Sequence, residues 1–251
     1  MPDNIELIYF DLQGRATLPR LLLRMSGVKW TDTLVPNNQE AWNERRAEFE
    51  RDALGVLPVL KVNGEVFYQT AAITDYAAHL AGILPTDPMQ RMKEIMLRET
   101  FFEAMNKGFT AGVMAGAAEI GLDKRKVQAL TRIVTSDDDK EKRNKVMMPT
   151  MVNTCCGLMA KVEKTFKTLK VSMDKQYIFG DTISLVDLDC VFWYLFSVDA
   201  FVNNYIDAKK LFEEHAPTVV TFAKKAMKHP AVAEYIAADG ANPFLGINTL
   251  W

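Results

Sequence analysis

The chain of 251 residues contains only three cysteines, Cys155, Cys156 and Cys190. Two of them are neighbours in the sequence, neighbouring cysteines rarely bridge, and there is no Cys-x-x-Cys pair, so we expect no disulfide framework. The chain also lacks an excess of charge of one sign, because 30 Lys and Arg residues stand against 32 Asp and Glu residues. The net charge of -2 excludes a global field that would recruit nucleic acid. We therefore expect a protein of the reducing cytoplasm with no nucleic-acid partner.

Long apolar runs are also missing. The longest, VFWYLFSVDAFV, is too short to cross a bilayer and contains Asp199. The first residues, MPDNIELIYF, have an acidic flank where a secretory signal would have a basic one. We therefore expect no membrane association. What the sequence does contain is 49% hydrophobic and 25% charged residues, a globular composition with room for one large domain or two of ordinary size.

Residues 1–84 alternate strand-like and helix-like patterns. The run from Ile5 to Phe10 predicts a strand, and it is followed by apolar residues at helical spacing up to Gly27. VKWTDTLV then predicts a second strand and NNQEAWNERRAEFERDA a polar helix. LPVLKV and EVFYQ flank Asn63-Gly64, a dipeptide typical of a type I′ turn, and therefore predict a β-hairpin. We expect Thr70 to cap the next helix, which ends at Gly82, so the order is β-α-β-α-β-β-α.

The pattern changes at LPTDPMQ, near residue 85. Asp87-Pro88 is a favourable helix start, and only long amphipathic segments follow it. The first of these predicts one long helix, or two helices bent around a glycine. The mixed-sign stretch TSDDDKEKRNKV predicts an exposed loop or helix start, and Ser184-x-x-Asp187 predicts a capping box on a buried helix. The expected fold is a small α/β domain, residues 1–84, followed by an all-helical domain, residues 85–251.

Three junctions in the first domain could carry chemistry. Tyr9 lies where a strand gives way to a helix, so it either packs a core or points its hydroxyl at a ligand on the helix N-terminus. A cis Leu57-Pro58 bond would expose the backbone of Leu57 to a ligand, whereas a trans proline would merely start an edge strand. Gln69 and Thr70 stand at a strand-to-helix junction that suits a carboxylate, although an ordinary N-cap explains them equally well.

In their order and spacing, these motifs resemble the cytosolic glutathione transferases. That family has a thioredoxin-like N-terminal domain with a cis-proline after an apolar residue and a Gln-Ser pair after the hairpin. Its all-helical C-terminal domain contains a GDxxSxAD motif, which is GDTISLVD here. The opening Tyr-Phe-x-x-x-Gly-Arg-Ala most resembles the tyrosine-type classes, above all the sigma class. The resemblance covers nearly the whole chain and implies a homodimer that uses glutathione as co-substrate.

The resemblance implies that Tyr9 donates a hydrogen bond to the sulfur of glutathione and that Arg15 helps to tune the site. A free thiol titrates near ~8.5, and lowering its pKa by about two units takes roughly 2.7 kcal/mol. One hydrogen bond to a charged group contributes about 1.5–3 kcal/mol. A single tyrosine hydroxyl is therefore on the right scale for this task.

Further residues match the family's glutathione-binding positions. Gln69 and Thr70 correspond to the pair that holds the γ-glutamyl carboxylate, and the backbone of Leu57, ahead of Pro58, would pair with the cysteinyl part. The glycyl end would be met by Trp42 and by Arg45 or Arg46. Glu103, with Glu99 as its rival, would reach the glutathione of the partner subunit.

The family's second site takes a small apolar electrophile. The implied residues are Phe10, Gln13, Phe102, Met105, Phe109 and the tail 244–251 with Trp251. Three departures from the family concern glutathione affinity and dimer geometry more than chemistry. Val56 stands where many members have Gln or Lys, Asp75 replaces an arginine on a helix used for dimerisation, and residues 136–146 resemble an insertion.

The expected function is conjugation of the glutathione thiolate to hydrophobic electrophiles, with no metal site. The sigma-like opening also allows glutathione-dependent isomerisation, as in a prostaglandin D synthase, or peroxide reduction. A non-catalytic ligand carrier and a structural protein of the lens crystallin kind are further alternatives. The joint presence of Tyr9, Arg15, Gln69 and Thr70 favours the enzyme, and the absence of a cysteine near the first strand disfavours the cysteine-type classes.

Overall fold

The structure is a computed structural model that describes residues 4–36, 39–122 and 136–239. Its contacts divide the chain into two compact units. The first unit contains the described residues up to Leu84 and those from Met227 onward, and the second contains Pro85–Ala226. The division into domains at residues 84 and 85 stays a prediction. The contact units group the residues from Met227 onward with the first unit, so they do not follow the chain order of the predicted domains.

The first unit is built on a four-stranded sheet. Its strands are β1 (Ile5–Phe10), β2 (Thr31–Val35), β3 (Val59–Val62) and β4 (Glu65–Tyr68), in the order β2-β1-β3-β4. Strand β1 is parallel to β2 and antiparallel to β3, which is antiparallel to β4. Asn63 and Gly64 between β3 and β4 have φ values of 51° and 88°, as a type I′ turn requires. The predicted α/β architecture and the hairpin are confirmed.

Helices account for the rest of the regular structure in the described residues. In chain order they are α1 (Thr17–Ser26), α2 (Gln39–Ala53), α3 (Thr70–Leu80), α4 (Pro88–Glu119), α5 (Asp137–Thr168), α6 (Leu185–Val198), α7 (Ala200–Asn203), α8 (Ala208–His215), α9 (Pro217–Ala226) and α10 (Pro230–Asp239). A one-turn 3-10 helix, Gly14–Ala16, precedes α1. The helical second domain is confirmed, and its first segment is one helix, not two bent ones.

Helix α1 ends where the sequence predicts. Gly27 follows its last residue with a φ of 67°, a left-handed conformation that glycine adopts without steric cost. Helix α1 is apolar on more than one side, and its buried residues include Leu21, Leu22 and Leu23. Helix α10 packs against α1 and buries Val232 and Tyr235 in the first unit.

The second unit centres on the pair of long helices α4 and α5. Asp87 caps α4 by accepting hydrogen bonds from the N–H groups of Met89 and Gln90. Helix α5 begins inside the charged stretch, with Ser136 as its N-cap, so this stretch is a helix start. The capping box of α6 is confirmed, because Ser184 and Asp187 exchange hydrogen bonds as predicted.

One predicted helix start is displaced by a residue. The N-cap of α3 is Gln69, with φ 76° and ψ 117°, and Thr70 is already the first helical residue. The prediction of Thr70 as the cap is therefore wrong, because β4 ends at Tyr68 and the chain turns at Gln69. Separately, no helix within residues 4–36, 39–122 or 136–239 combines the length and hydrophobicity needed to cross a bilayer.

Candidate active site

Tyr9 is the centre of the candidate site. It is the penultimate residue of β1 and is 7% exposed. Its hydroxyl oxygen accepts a hydrogen bond from the backbone N–H of Arg15, with 3.2 Å between oxygen and nitrogen. Because a peptide donor faces the oxygen, the hydroxyl proton remains available for an acceptor such as a thiolate.

The turn that follows β1 fits closely around this hydroxyl. Gly14, with a φ of 43°, begins the 3-10 turn, and its carbonyl accepts a hydrogen bond from the Thr17 hydroxyl at 2.8 Å. A Cβ atom at Gly14 would lie 3.0 Å from the Tyr9 hydroxyl oxygen and 2.6 Å from Leu12 Cδ1. Both the backbone angle and the space therefore require glycine.

The surroundings of Tyr9 keep it neutral. Burial raises the pKa of Tyr9 above its ordinary value, and the N–H of Arg15 together with the charges of Arg15 and Arg20 opposes this rise. Tyr9 is thus a neutral hydrogen-bond donor at physiological pH. The side chain of Arg15 is exposed, so its guanidinium is accessible beside this donor.

Arg20, on α1, supports the same loop and was missed by the sequence interpretation. It is 3% exposed, and its guanidinium lies 5.8 Å from the centre of the Tyr9 ring. It donates hydrogen bonds to the carbonyl groups of Phe10 and Leu12 and forms an ion pair with Asp32 of β2 at 2.8 Å. An arginine inside the apolar run from Leu18 to Leu23 of α1 is the signal that could have found it.

The start of α3 presents backbone donors. Gln69 is exposed, and within the described residues its side chain makes no capping hydrogen bond. The first N–H groups of α3 and the half-buried Thr70 are thus placed to meet a carboxylate. The Leu57–Pro58 bond is cis, and Leu57 lies two residues before β3 begins. Val56 beside it is 40% exposed.

Helix α2 holds three of the predicted binding residues. Trp42 is 3% exposed and packs in the core with its ring centre 5.4 Å from that of Phe10. Arg45 forms an ion pair with Glu48 at 2.9 Å, and Arg46 forms one with Glu50 at 3.4 Å. Ion pairs at such exposed positions contribute little, so either arginine could turn to a ligand at small cost.

The predicted second-substrate residues fall in both units. In the first unit Phe10 is half-buried and contacts the Tyr9 ring, and Gln13 is 4% exposed. In the second unit, α4 carries the half-buried Phe102 and Met105 and the exposed Phe109. Glu103, also on α4, is exposed and paired with Lys107 and Lys161. The tail 244–251, with Trp251, lies outside the described residues.

The first unit therefore gathers Tyr9, Phe10, Gln13 and Arg15 around one strand end, with the α3 start and the Leu57 backbone on neighbouring segments. The four candidates on α4 belong to the second unit. The roles assigned to all of these residues stay predictions.

Comparisons with known proteins show what this chain is similar to. Residues 127–239 match the family model described as the glutathione S-transferase C-terminal domain. Glutathione S-transferase 3 of Caenorhabditis elegans is 23% identical over 237 residues, which cover 93% of this chain and 96% of that protein. S-crystallin SL20-1 of Nototodarus sloanii is 21% identical over 93% of this chain and 96% of its own length. Hematopoietic prostaglandin D synthase of Gallus gallus is 30% identical over 88 residues, 35% of this chain and 42% of that protein.

A solved structure shows the same fold. The crystal structure of monomeric Na-GST-3, a glutathione S-transferase from Necator americanus, matches with a TM-score of 0.60 and 20% identity. The match covers 94% of this chain and 97% of that one. The chain is thus similar over nearly its whole length to glutathione S-transferases, and its residues 127–239 match the model of their C-terminal domain.

Proposed function

We propose that this protein is a glutathione transferase that binds glutathione in its first unit and transfers the thiolate to small hydrophobic electrophiles. The observation that carries the proposal is the geometry of Tyr9, whose oxygen accepts the Arg15 N–H at 3.2 Å. The remaining hydroxyl proton supplies one hydrogen bond to the sulfur. Such a bond stabilises the thiolate over the thiol by about 1.5–3 kcal/mol.

The other glutathione contacts follow from the backbone. The open N–H groups at the start of α3, with Gln69 and Thr70, suit the γ-glutamyl carboxylate, since helix N-termini favour negative charge. The peptide groups of Leu57 lie before the ladder of β3 and suit the cysteinyl backbone. Arg45 or Arg46 would meet the glycyl carboxylate, in keeping with their weak surface ion pairs.

The reaction needs few further protein groups. The glutathione thiol loses its proton to water, and the thiolate uses a sulfur electron pair to form the new carbon–sulfur bond. In a displacement the leaving group departs with its bonding pair, and in an addition to an activated double bond the resulting carbanion takes a proton from water. Tyr9 keeps its proton throughout and Arg15 offers positive charge beside the sulfur. Phe10, which contacts the Tyr9 ring in the first unit, would give a hydrophobic electrophile an apolar surface beside the sulfur.

A homodimer in the cytoplasm is part of this proposal. The family resemblance supports a dimer, and exposed apolar residues on α4, among them Met89, Met92 and Met96, offer surface that a partner would cover. The monomeric Na-GST-3 relative shows that this fold also exists without a partner. Sedimentation of the purified protein decides between the two states.

A second candidate is supported by the relatives. The match to a hematopoietic prostaglandin D synthase favours glutathione-dependent isomerisation at the same Tyr9 site. The match to S-crystallin favours a non-catalytic protein. Both alternatives keep the fold, but isomerisation needs bound glutathione whereas a crystallin-like protein does not.

Conjugation of glutathione to chlorodinitrobenzene by wild type and by Tyr9→Phe tests the proposal. We expect turnover in wild type and a loss of about tenfold to a hundredfold in Tyr9→Phe, because one charged hydrogen bond is removed. Tyr205→Phe is the matched control, since the Tyr205 hydroxyl donates to the exposed Glu141 at 2.8 Å. Glutathione binding without turnover in wild type would contradict the enzyme, and an absence of binding would favour the crystallin-like alternative.

A further inference from the structure

Helix α10 reaches the loop of the Tyr9 site through one side chain, Tyr235. Tyr235 is 3% exposed, and its hydroxyl donates a hydrogen bond to Oε1 of Gln13, which is 4% exposed. Both residues belong to the first unit although they are 222 positions apart in the sequence. A hydrogen bond between two buried side chains is protected from exchange with water and therefore defines their relative position.

Gln13 holds the turn that surrounds the Tyr9 hydroxyl. Its carbonyl accepts the N–H of Ala16 at 3.0 Å, which closes the 3-10 turn. The next two residues are Gly14, where an added Cβ would lie 3.0 Å from the Tyr9 oxygen, and Arg15, whose N–H donates to that oxygen. A displacement of Gln13 therefore moves the Gly14–Arg15 peptide, whose N–H donates to the Tyr9 hydroxyl.

The side chain of Gln13 depends on this one contact. Its Nε2 atom is buried and has no hydrogen-bond partner in the part of the chain that the structure describes. Without the Tyr235 hydroxyl, the whole amide would be buried and unsatisfied. A buried amide in that state favours any rearrangement that brings it to water.

Tyr235 is itself held in place. The Arg24 guanidinium of α1 lies 5.0 Å from the centre of the Tyr235 ring, and α10 packs along α1. Thus α1, α10 and the 3-10 turn form one connected support beneath the end of β1.

We propose that Tyr235 is a positioning residue for the Tyr9 site, acting through Gln13 on the Gly14–Arg15 peptide. Its hydroxyl keeps that peptide where it donates to the Tyr9 oxygen and thereby leaves the phenol proton to the substrate sulfur. The inference rests on the proposed function for its catalytic meaning, but the link from Tyr235 to Tyr9 exists without any ligand.

The first test therefore uses no glutathione. Tyr9 ionisation is followed by tyrosinate ultraviolet absorbance, as the difference between each protein and the same protein carrying Tyr9→Phe. In Tyr235→Phe we expect a higher pKa for Tyr9, because the stabilising N–H of Arg15 is loosened while the charges of Arg15 and Arg20 remain. An unchanged Tyr9 titration would overturn the proposal. Tyr205→Phe serves as the matched control and should leave the titration as in wild type.

The second test is catalytic. With chlorodinitrobenzene as electrophile, we expect Tyr235→Phe to lower kcat by about tenfold with little change in the KM for glutathione, since the reacting groups are misplaced but the carboxylate contacts remain. A rise in KM with unchanged kcat would overturn the positioning role. If wild type neither binds nor uses glutathione, the proposed function fails, while the Tyr9 titration still decides the link.

A Gln13→Met background shows whether Tyr235 acts through Gln13. In that background Tyr235→Phe should change neither the Tyr9 titration nor kcat any further. A full additional effect there would overturn the route through Gln13. This comparison also serves if Tyr235→Phe alone does not fold, because the double variant leaves no buried amide unsatisfied.

Discussion

At the scale of single residues, Tyr9 shows how a hydroxyl at a strand end keeps its proton available, because its oxygen accepts the N–H of Arg15. Its spacing to Gly14 and Arg15 is visible in the sequence, and it supported the interpretation of this residue as functional. The hydrogen bond from the Arg15 N–H was not predictable, because it depends on the left-handed φ of Gly14. An arginine within an apolar run marks Arg20 in the sequence, but its partner Asp32 and the contact of Gln13 with Tyr235 join distant segments that local pattern does not connect.

The first residue-scale prediction concerns pH. Because the pKa of Tyr9 is raised above its ordinary value, its protonated, donating form persists at least as far as about pH 10. We expect kcat/KM in wild type to rise with pH through a single ionisation near about 6.5, the glutathione thiol lowered by about two units from ~8.5. In Tyr9→Phe that ionisation should move to about 8.5, as measured from initial rates across the pH range.

The same pH profile can also contradict the prediction. A fall in wild-type kcat/KM already near about pH 9 would place the ionisation of Tyr9 below its ordinary value. Tyr205→Phe should reproduce the wild-type profile, since its hydroxyl contacts the exposed Glu141 in the second unit.

The second residue-scale prediction concerns Arg20. Replacing it by Met removes the guanidinium that donates to the Leu12 carbonyl and to the Asp32 carboxylate, and leaves the Phe10 carbonyl with only the N–H of Leu12. We expect the free energy of unfolding in urea to fall by about 3 kcal/mol, and by less for Arg20→Lys, which keeps the charge but loses the planar fork. Arg51→Met is the control, because Arg51 pairs with Asp52 on the surface and should show no measurable change. Equal stability of the two Met variants would contradict the buried role of Arg20.

At the scale of elements, prediction succeeded where the signal is local. Gly27 after α1, Asn63-Gly64 in the hairpin, Asp87 before α4 and the Ser184–Asp187 box all use neighbouring residues, and all are confirmed. A helix start whose groups donate to a carboxylate far away in the sequence could not be predicted from the local pattern. Glu163 of α5, for example, accepts hydrogen bonds from the N–H and hydroxyl of Thr218 at the start of α9.

The packing of α4 on α5 gives the element-scale prediction. A Cβ atom at Gly112 would lie 2.7 Å from Met151 Cβ and 2.8 Å from the carbonyl oxygen of Met147. Gly112→Ala must therefore push the two helices apart, and we expect it to lower the free energy of unfolding by about 1–3 kcal/mol. Thermal and urea unfolding would both report the change.

Gly157, on α5, provides the matched control. A Cβ atom there meets nothing within 4 Å, so Gly157→Ala should stabilise the protein by about 0.5–1 kcal/mol through helix propensity alone. If both substitutions stabilised the protein, the close approach of α4 and α5 at Gly112 would be contradicted.

At the scale of the whole molecule, the sequence predicts two successive domains, and the change of pattern near residue 85 coincides with the end of one contact unit at Leu84. The sequence does not show that the chain returns to its first unit after Ala226, since α10 looks like any other amphipathic helix. Under the proposed function this return would support the site, because Tyr235 on α10 donates a hydrogen bond to Gln13 in the loop beside Tyr9. Support for the candidate site therefore comes from both ends of the described chain.

A truncation after Ala226 tests this return. It removes Val232, which is fully buried, and Tyr235, and each such side chain contributes about 1.5–3 kcal/mol on burial. We expect the backbone amides of α1 to exchange with solvent about a hundredfold faster or more, since α10 packs on that helix, while the amides of α6 in the second unit stay protected. A truncation after Asp239 keeps α10 and should leave α1 protected, which assigns the effect to α10 alone. Amides of α1 that exchange as slowly without α10 as with it would contradict its role, and they would also remove the physical basis for a contribution of Tyr235 to the Tyr9 site.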